Sequence, residues 1–186
     1  MDKQLFDLLS MRYAPLITNI LTDNVKFFRF HEAIKWQFSF DERIAIFAWC
    51  NRKTNILTIN IGAVDFALSI NEPLHIEYFL LHEIRHIYQH MEIANYKNNS
   101  SACNNPKLAQ KWADEEEQYV PALNNDGSEN QNYFNQNMEF DAFAFAFAIM
   151  KYKYGEIPYI QKPLRYGEEF YKTVESWCQT FQSENM

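Results

Sequence analysis

The sequence predicts an α+β fold in which a small β-sheet packs on long helices. Three observations lead there. The 186 residues are 47% hydrophobic and 17% aromatic, with 16 Phe and 11 Tyr, enough apolar mass for one buried core and far from the composition of a disordered chain. Two apolar, β-branched runs, residues 44–50 and 55–61, flank the polar set Asn51-Arg52-Lys53-Thr54, the pattern of a β-hairpin. Longer windows on either side of that hairpin carry apolar residues at helical spacing.

In chain order, Leu5, Leu8, Leu9, Ile17, Ile20 and Leu21 suit one or two helices broken near Pro15. Residues 26–40 are aromatic-rich and read as a strand followed by a turn, and the hairpin comes next. Residues 63–69 read as a short helix. Asn71-Glu72-Pro73 then forms a start signal, with Pro in the first turn, for a long helix reaching about residue 95. Polar loops at 97–106 and 122–131 bracket a charged, mostly exposed helix over 106–119. The next helix spans 132–152. Its Ala142–Ala148 stretch alternates Ala and Phe like a strand, but both faces are apolar and the window is long and rich in Ala and Met, so a buried helix fits better. Residues 155–163 read as irregular and 166–182 as a final helix. With no repeat and no linker, the chain reads as a single domain over 1–186, with a helical segment at about 1–24, a core over about 25–155 and the last helix.

The formal charge of -7 and pI near 5.2 leave no electrostatic footprint for nucleic acid and no basic run for an anionic membrane. Cys50, Cys103 and Cys178 are odd in number and lack a CxxC spacing, which suits free thiols in a reducing compartment. The first residues carry acids where a signal peptide carries basic ones, and the apolar stretch 142–150 is too short to span a bilayer. A cytoplasmic protein is expected. Oligomeric state is not legible.

The chemistry is concentrated in His82-Glu83-Ile84-Arg85-His86. Two imidazoles one helical turn apart share a face and can reach one metal ion. Zinc takes two such neutral nitrogens and a third protein ligand, leaving a fourth position for water. Glu83, about 100° round the helix from His82, borders that position, where it can take a proton from the water and return one to a leaving amine. Ile76, Leu80, Ile84, Ile87 and Met91 form one stripe of this helix, while His75, Phe79, His82 and His86 lie near the opposite line. Such a helix packs on one side and lines a cleft on the other.

The third ligand is expected from the helix downstream, where Glu139 and Asp141 enter a strongly apolar segment. Two residues apart, they point to nearly opposite sides, so only one can bind the metal.

The pairing of Leu80-Leu81-His82-Glu83-Ile84-Arg85-His86 with Glu139-Phe140-Asp141-Ala142-Phe143-Ala144-Phe145-Ala146 resembles the ImmA/IrrE-type zinc peptidases, intracellular gluzincin-like enzymes whose second motif is Glu-x-Glu-Ala-Asn-x-Phe-Ala. The resemblance covers roughly residues 44–150. It implies a zincin-like fold, a twisted sheet above the HExxH helix whose edge strand binds an extended peptide, and a metallopeptidase activity with a peptide or protein substrate. It also implies Zn2+ held by His82, His86 and Glu139, with Glu83 catalytic and Asp141 in support. Phe143 departs from the pattern, because related enzymes keep an Asp or Asn there to hold a metal-binding His.

Other residues read less sharply. His90 suits an exposed or polar-paired histidine and His75 a polar helix start. Arg85 suits a surface salt bridge, with a carboxylate near the site as the sharper reading. Tyr88, Tyr133, Tyr154 and Tyr166 are candidates for stabilising an oxyanion. Asp114-Glu115-Glu116-Glu117 reads as a solvated helical face, and Cys103 has no His partner that would make it a nucleophile. Two alternatives to the peptidase remain: a zinc-binding interaction protein that keeps the fold but cleaves little, and a metal-free protein whose acidic helices form a partner surface.

Overall fold

Among the described residues three strands precede the long central helix. The computed structural model describes residues 1–28, 33–43, 46–124, 126–128, 130–155 and 166–186. Its α+β architecture consists of α1 (Lys3–Phe28), β1 (Trp36–Ser39), β2 (Ala48–Cys50), β3 (Leu57–Asn60), α2 (Ile61–Ser69), α3 (Pro73–Lys97), α4 (Pro106–Glu116), a 3-10 turn at Tyr133–Asn135, α5 (Asn137–Tyr154) and α6 (Glu168–Ser183).

Helix α1 is unbroken, contrary to the break expected at Pro15, and it continues to Phe28. A proline inside a helix costs about 3 kcal/mol. Here Tyr13 and Ile17 on either side of it, with Leu9, Leu21 and Phe28, form one buried stripe, and each such side chain contributes about 1.5–3 kcal/mol. Packing therefore outweighs the local defect. The strand expected within 26–40 is β1; residues 26–28 close α1, and 29–32 lie outside the described residues.

The expected hairpin is present but shorter. β2 pairs antiparallel with β3 in the register Ala48↔Ile59, Trp49↔Thr58 and Cys50↔Leu57, and β1 pairs parallel with the other side of β3. Residues 44 and 45 lie outside the described residues, and Ile61 begins α2. All four residues of β3 are buried, as the middle strand of the order β1-β3-β2 requires. The bonds Asn60 N–H to Phe47 O (2.8 Å) and Asn51 N–H to Ile56 O (3.1 Å) bracket the β2–β3 ladder. Phe47, Trp49 and Asn51 thus turn their main-chain groups toward β3, and Ala48 and Cys50 turn theirs outward. Among the described residues no strand covers that outer edge.

Asn60 fixes the junction. Its Oδ1 accepts from the Gly62 and Asp41 amides, capping α2, while its Nδ2 donates to the carbonyls of Asp41, Arg43 and Ile46. One fully buried amide therefore holds the approach to β2 against the start of α2.

Helix α3 is the axis of the molecule, touching α1, α2, α4, α5 and β2. Pro73 starts it as expected, and His75 Nδ1 lies 2.6 Å from Glu72 Oε2, the polar helix start foreseen. Ile76, Leu80, Ile84 and Ile87 are buried, but Met91 at the end of that stripe is 38% exposed. Helix α5 is buried along nearly its whole length between α3 and α6, as its two apolar faces and its long Ala- and Met-rich window suggested despite the strand-like alternation. It begins with no side-chain cap of its own. Instead Glu115 of α4 accepts from the Asn137 and Met138 amides, both at 2.7 Å. This corrects the reading of residues 114–117 as only a solvated face. At its other end Gly155 (φ 74°) takes the left-handed turn and donates to Lys151 O. The rest of the segment expected to be irregular, 156–163, lies outside the described residues.

Behind α5 an aromatic layer joins Phe28, Phe145, Trp177 and Phe181, with ring centroids 4.8–5.6 Å apart for the Phe28–Phe145, Phe145–Trp177 and Phe145–Phe181 pairs. Among the described residues no helix is long and apolar enough to cross a membrane. The three cysteines are free.

Candidate metal centre

Where α3 crosses α5, three side chains converge out of solvent. His82, His86 and Glu139 are 2%, 7% and 0% exposed. His82 Nε2 lies 3.1 Å from His86 Nε2 and 3.3 Å from Glu139 Oε2, and His86 Nε2 lies 3.3 Å from Glu139 Oε1. Donors held about 2.0–2.1 Å from a tetrahedral ion stand roughly 3.3 Å from one another. The triangle therefore has the size that such an ion needs.

The donor chemistry fits as well. Two imidazole nitrogens face each other at hydrogen-bond distance, an arrangement that needs a proton or a cation between them and the carboxylate. Glu139 Oε2 is fully buried with no hydrogen-bond partner among the described residues. Burial works to raise the Glu139 pKa, but the adjoining His86 and His82 hold it well below the ordinary carboxylate value. Burial likewise works against a charged His86, yet the Glu139 charge and hydrogen bond push it up to about 9. Without metal the cluster is held as an ion pair; a divalent cation would replace that proton. The His82–His86–Glu139 group could hold a metal ion.

Glu83 faces the same space, with Oε1 4.0 Å from His82 Nε2. Its Oε2 accepts from the Cys50 main-chain amide at 3.0 Å, so the outward-turned amide of β2 aims it. Burial, with Glu139 adding repulsion, raises its pKa above the usual value despite the two histidines. That is the direction required of a carboxylate that must accept and then release a proton near neutrality.

Each histidine is supported differently. His86 Nδ1 lies 2.7 Å from Gln89 Oε1, and Gln89 Nε2 donates to Met138 O (3.0 Å) and Asp141 Oδ2 (2.9 Å). His82 Nδ1 has no hydrogen-bond partner among the described residues, and the Phe143 ring packs 4.1 Å from its ring. Phe143 stands where the motif's usual Asn would be, and it supplies contact without a hydrogen bond.

Asp141 does not join the triangle. Its oxygens accept from Arg85 Nε (2.8 Å) and Nη2 (3.3 Å) as well as from Gln89. Its reading as an alternative ligand therefore gives way to a supporting one. Arg85 is corrected from a surface residue to a buried one, 3% exposed, with its guanidinium 4.2–5.1 Å from the rings of Phe145, Tyr88 and Trp177. The helical stripes placed Arg85 between the two faces, where the packing of α5 could not be foreseen.

Over this floor lies a cleft of about 550 Å³ whose walls include Ile46, Trp49, Pro121, Leu123, Phe134 and Met138. Tyr119 closes one side. Its hydroxyl donates to Glu139 Oε1 at 2.6 Å, and Arg52, from the β2–β3 turn, stacks on its ring at 3.8 Å. Gln136 anchors this loop by bonding both the amide (2.7 Å) and the carbonyl (2.8 Å) of Val120. Tyr133 also lines the cleft, and burial followed by the Glu139 charge raises the pKa of both phenols.

The other tyrosines named from sequence lie elsewhere. Tyr154 donates to Glu77, Tyr88 packs against Arg85, and Tyr166 stacks on Phe170 beside Phe140. His90 is 8% exposed and lines the cleft, its Nδ1 3.8 Å from Cys50 Sγ, so the polar-paired reading holds and the exposed one does not. Cys103 Sγ lies 3.8 Å from Glu92 Oε2 and 3.9 Å from the Glu92 carbonyl.

Sequence reasoning missed Tyr119 and Gln89. Gln89 had a signal, three residues after His86 on the same helical face. Tyr119 was expected at the end of a charged helix over 106–119, but α4 stops at Glu116 and leaves Tyr119 beyond it. Compared with models of protein families, with curated proteins and with solved structures, the chain finds no match.

Proposed function

We propose that this chain is a zinc-dependent metallopeptidase with a zincin-like fold, of the ImmA/IrrE type, acting inside the cell on an extended segment of a protein. The observation that carries this reading is the convergence of three buried donors and Glu83 beneath the outward-facing edge of β2. The resemblance in both motifs supports the same choice.

Zinc, when bound by His82, His86 and Glu139, would polarise the scissile carbonyl and provide a water that is nucleophilic at neutral pH. The outward-turned main-chain groups of Ala48, with the Cys50 carbonyl, suit an added peptide strand, so the substrate would be held in extended form. A large apolar side chain of that peptide would seat among Trp49, Leu123, Phe134 and Met138. Glu83 accepts a proton from the attacking water through a carboxylate whose affinity burial has raised, and then delivers it to the departing amine. Tyr119 and Tyr133, kept protonated by burial, would serve as donors toward negative charge developing on the carbonyl oxygen, Tyr119 by giving up its bond to Glu139.

The test is direct. Protein purified without added metal should carry about one zinc per chain, lost in His82→Ala, His86→Ala and Glu139→Ala. Glu83→Gln should keep the metal while peptide hydrolysis falls about 10²–10⁴-fold. A natively folded wild type that neither carries nor takes up zinc would sink the proposal.

Phe143 on His82 and the Tyr119 bond to Glu139 favour one second reading, a zinc-stabilised interaction protein with little turnover. Bound zinc, no cleavage in any peptide library and no cellular effect of Glu83→Gln would select it.

A further inference from the structure

His86 can bind a cation through Nε2 only when its remaining proton is on Nδ1, and that placement is decided by what faces Nδ1. The group there is the Gln89 side-chain amide, which could in principle present either an acceptor oxygen or a donor nitrogen. Its orientation is settled on the side away from the metal. Met138 O and Asp141 Oδ2, 3.0 and 2.9 Å from the same Gln89 atom, are both acceptors, so that atom must be Nε2, and Oε1 is left to face His86 Nδ1 at 2.7 Å. Turning the amide over would set Oε1 against two acceptors inside a fully buried pocket. Asp141 is in turn held in place by Arg85, at 2.8 and 3.3 Å, and Arg85 is packed among Phe145, Tyr88 and Trp177.

We propose that Arg85, Asp141 and Gln89 form a positioning chain that fixes the proton of His86 on Nδ1 and thereby sets the affinity of the site for zinc. The inference rests on the metal-binding reading of His82, His86 and Glu139. It assigns to a buried ion pair, outside the ligand triangle, control over one ligand and not the other. His82, whose ring packs against Phe143 and whose Nδ1 has no hydrogen-bond partner among the described residues, receives no such control. The chain reaches the metal from one side.

Zinc affinity measured by competition with a chelator tests this, together with nitrogen-15-edited NMR of the zinc-loaded protein, which reports whether the His86 Nδ1 proton is sheltered from solvent exchange. Gln89→Leu should weaken zinc binding about 10–100-fold and remove the shelter. Asp141→Leu removes the acceptor that holds Gln89 Nε2 and frees the amide to turn. It should weaken binding about 10-fold. Gln89→Met keeps a side chain of similar length but sets no oxygen against Nδ1, and should weaken binding as much as Gln89→Leu. A role in packing alone predicts that Gln89→Met binds as wild type. Folded Gln89→Leu and Asp141→Leu proteins that bind zinc within about 2-fold of wild type would overturn the chain. So would a Gln89→Met protein that binds as tightly as wild type. A wild type that binds no zinc instead removes the metal centre itself, a result separable from either of these.

Discussion

The floor and the rim of the cleft are built by different means. On the floor, at the crossing of α3 and α5, the candidate metal ligands and the groups behind them are carried by helices and buried: His82, His86, Glu139, Gln89 and Arg85. On the rim, Trp49, Arg52, Tyr119 and Leu123 come from a short edge strand, a turn and a loop, and they meet across the cleft through one stacked cation and a few main-chain bonds. The floor has the rigidity expected of groups that must be pre-arranged for chemistry, and the rim has the lighter fixation expected of a surface that admits a partner. Affinity for the metal and affinity for a peptide should therefore be separable by mutation.

The largest expected effect strikes the floor. Phe145→Ala removes a fully buried ring that packs on Arg85 and on the Phe28, Trp177 and Phe181 layer. Urea denaturation should show a loss of about 3–5 kcal/mol. A loss below about 1 kcal/mol would mean that the floor is no stiffer than the rim. Next comes Glu115→Ala, which uncaps α5 just ahead of Glu139. Unfolding should cost about 0.5–2 kcal/mol less, and zinc affinity should fall with it. The smallest effect belongs to the rim. Arg52→Ala should change stability by only about 0.5–1 kcal/mol, leave zinc binding alone and appear in the KM for a peptide rather than in kcat. If Arg52→Ala released zinc, the division between the two regions would fail.

The same division governs how much was legible in the sequence. His82, Glu83, His86 and Glu139 could be placed because helical periodicity turns sequence spacing into direction, and because carboxylates in an apolar helix need a partner. The hairpin and the buried α5 followed from their patterns for the same reason. What escaped depended on pairings distant in sequence. β1 joins β3 across a long excursion, Arg85 became buried only when α5 covered it, and Glu115 became a cap only through the meeting of α4 with α5. Pro15 misled because a local penalty was weighed without the tertiary packing that exceeds it. Tyr119 was missed because the helix expected to reach it stops at Glu116, and past that point no period gives a direction.

The bond from the Cys50 amide to Glu83 has a consequence for how this chain can vary. The donor belongs to the peptide backbone, so any amino acid at position 50 can supply it, proline alone excepted. The aim of Glu83 is thereby insulated from side-chain drift on the strand and answers only to the path of the chain. Residue 50 can be exchanged while the carboxylate above the three buried donors keeps its place.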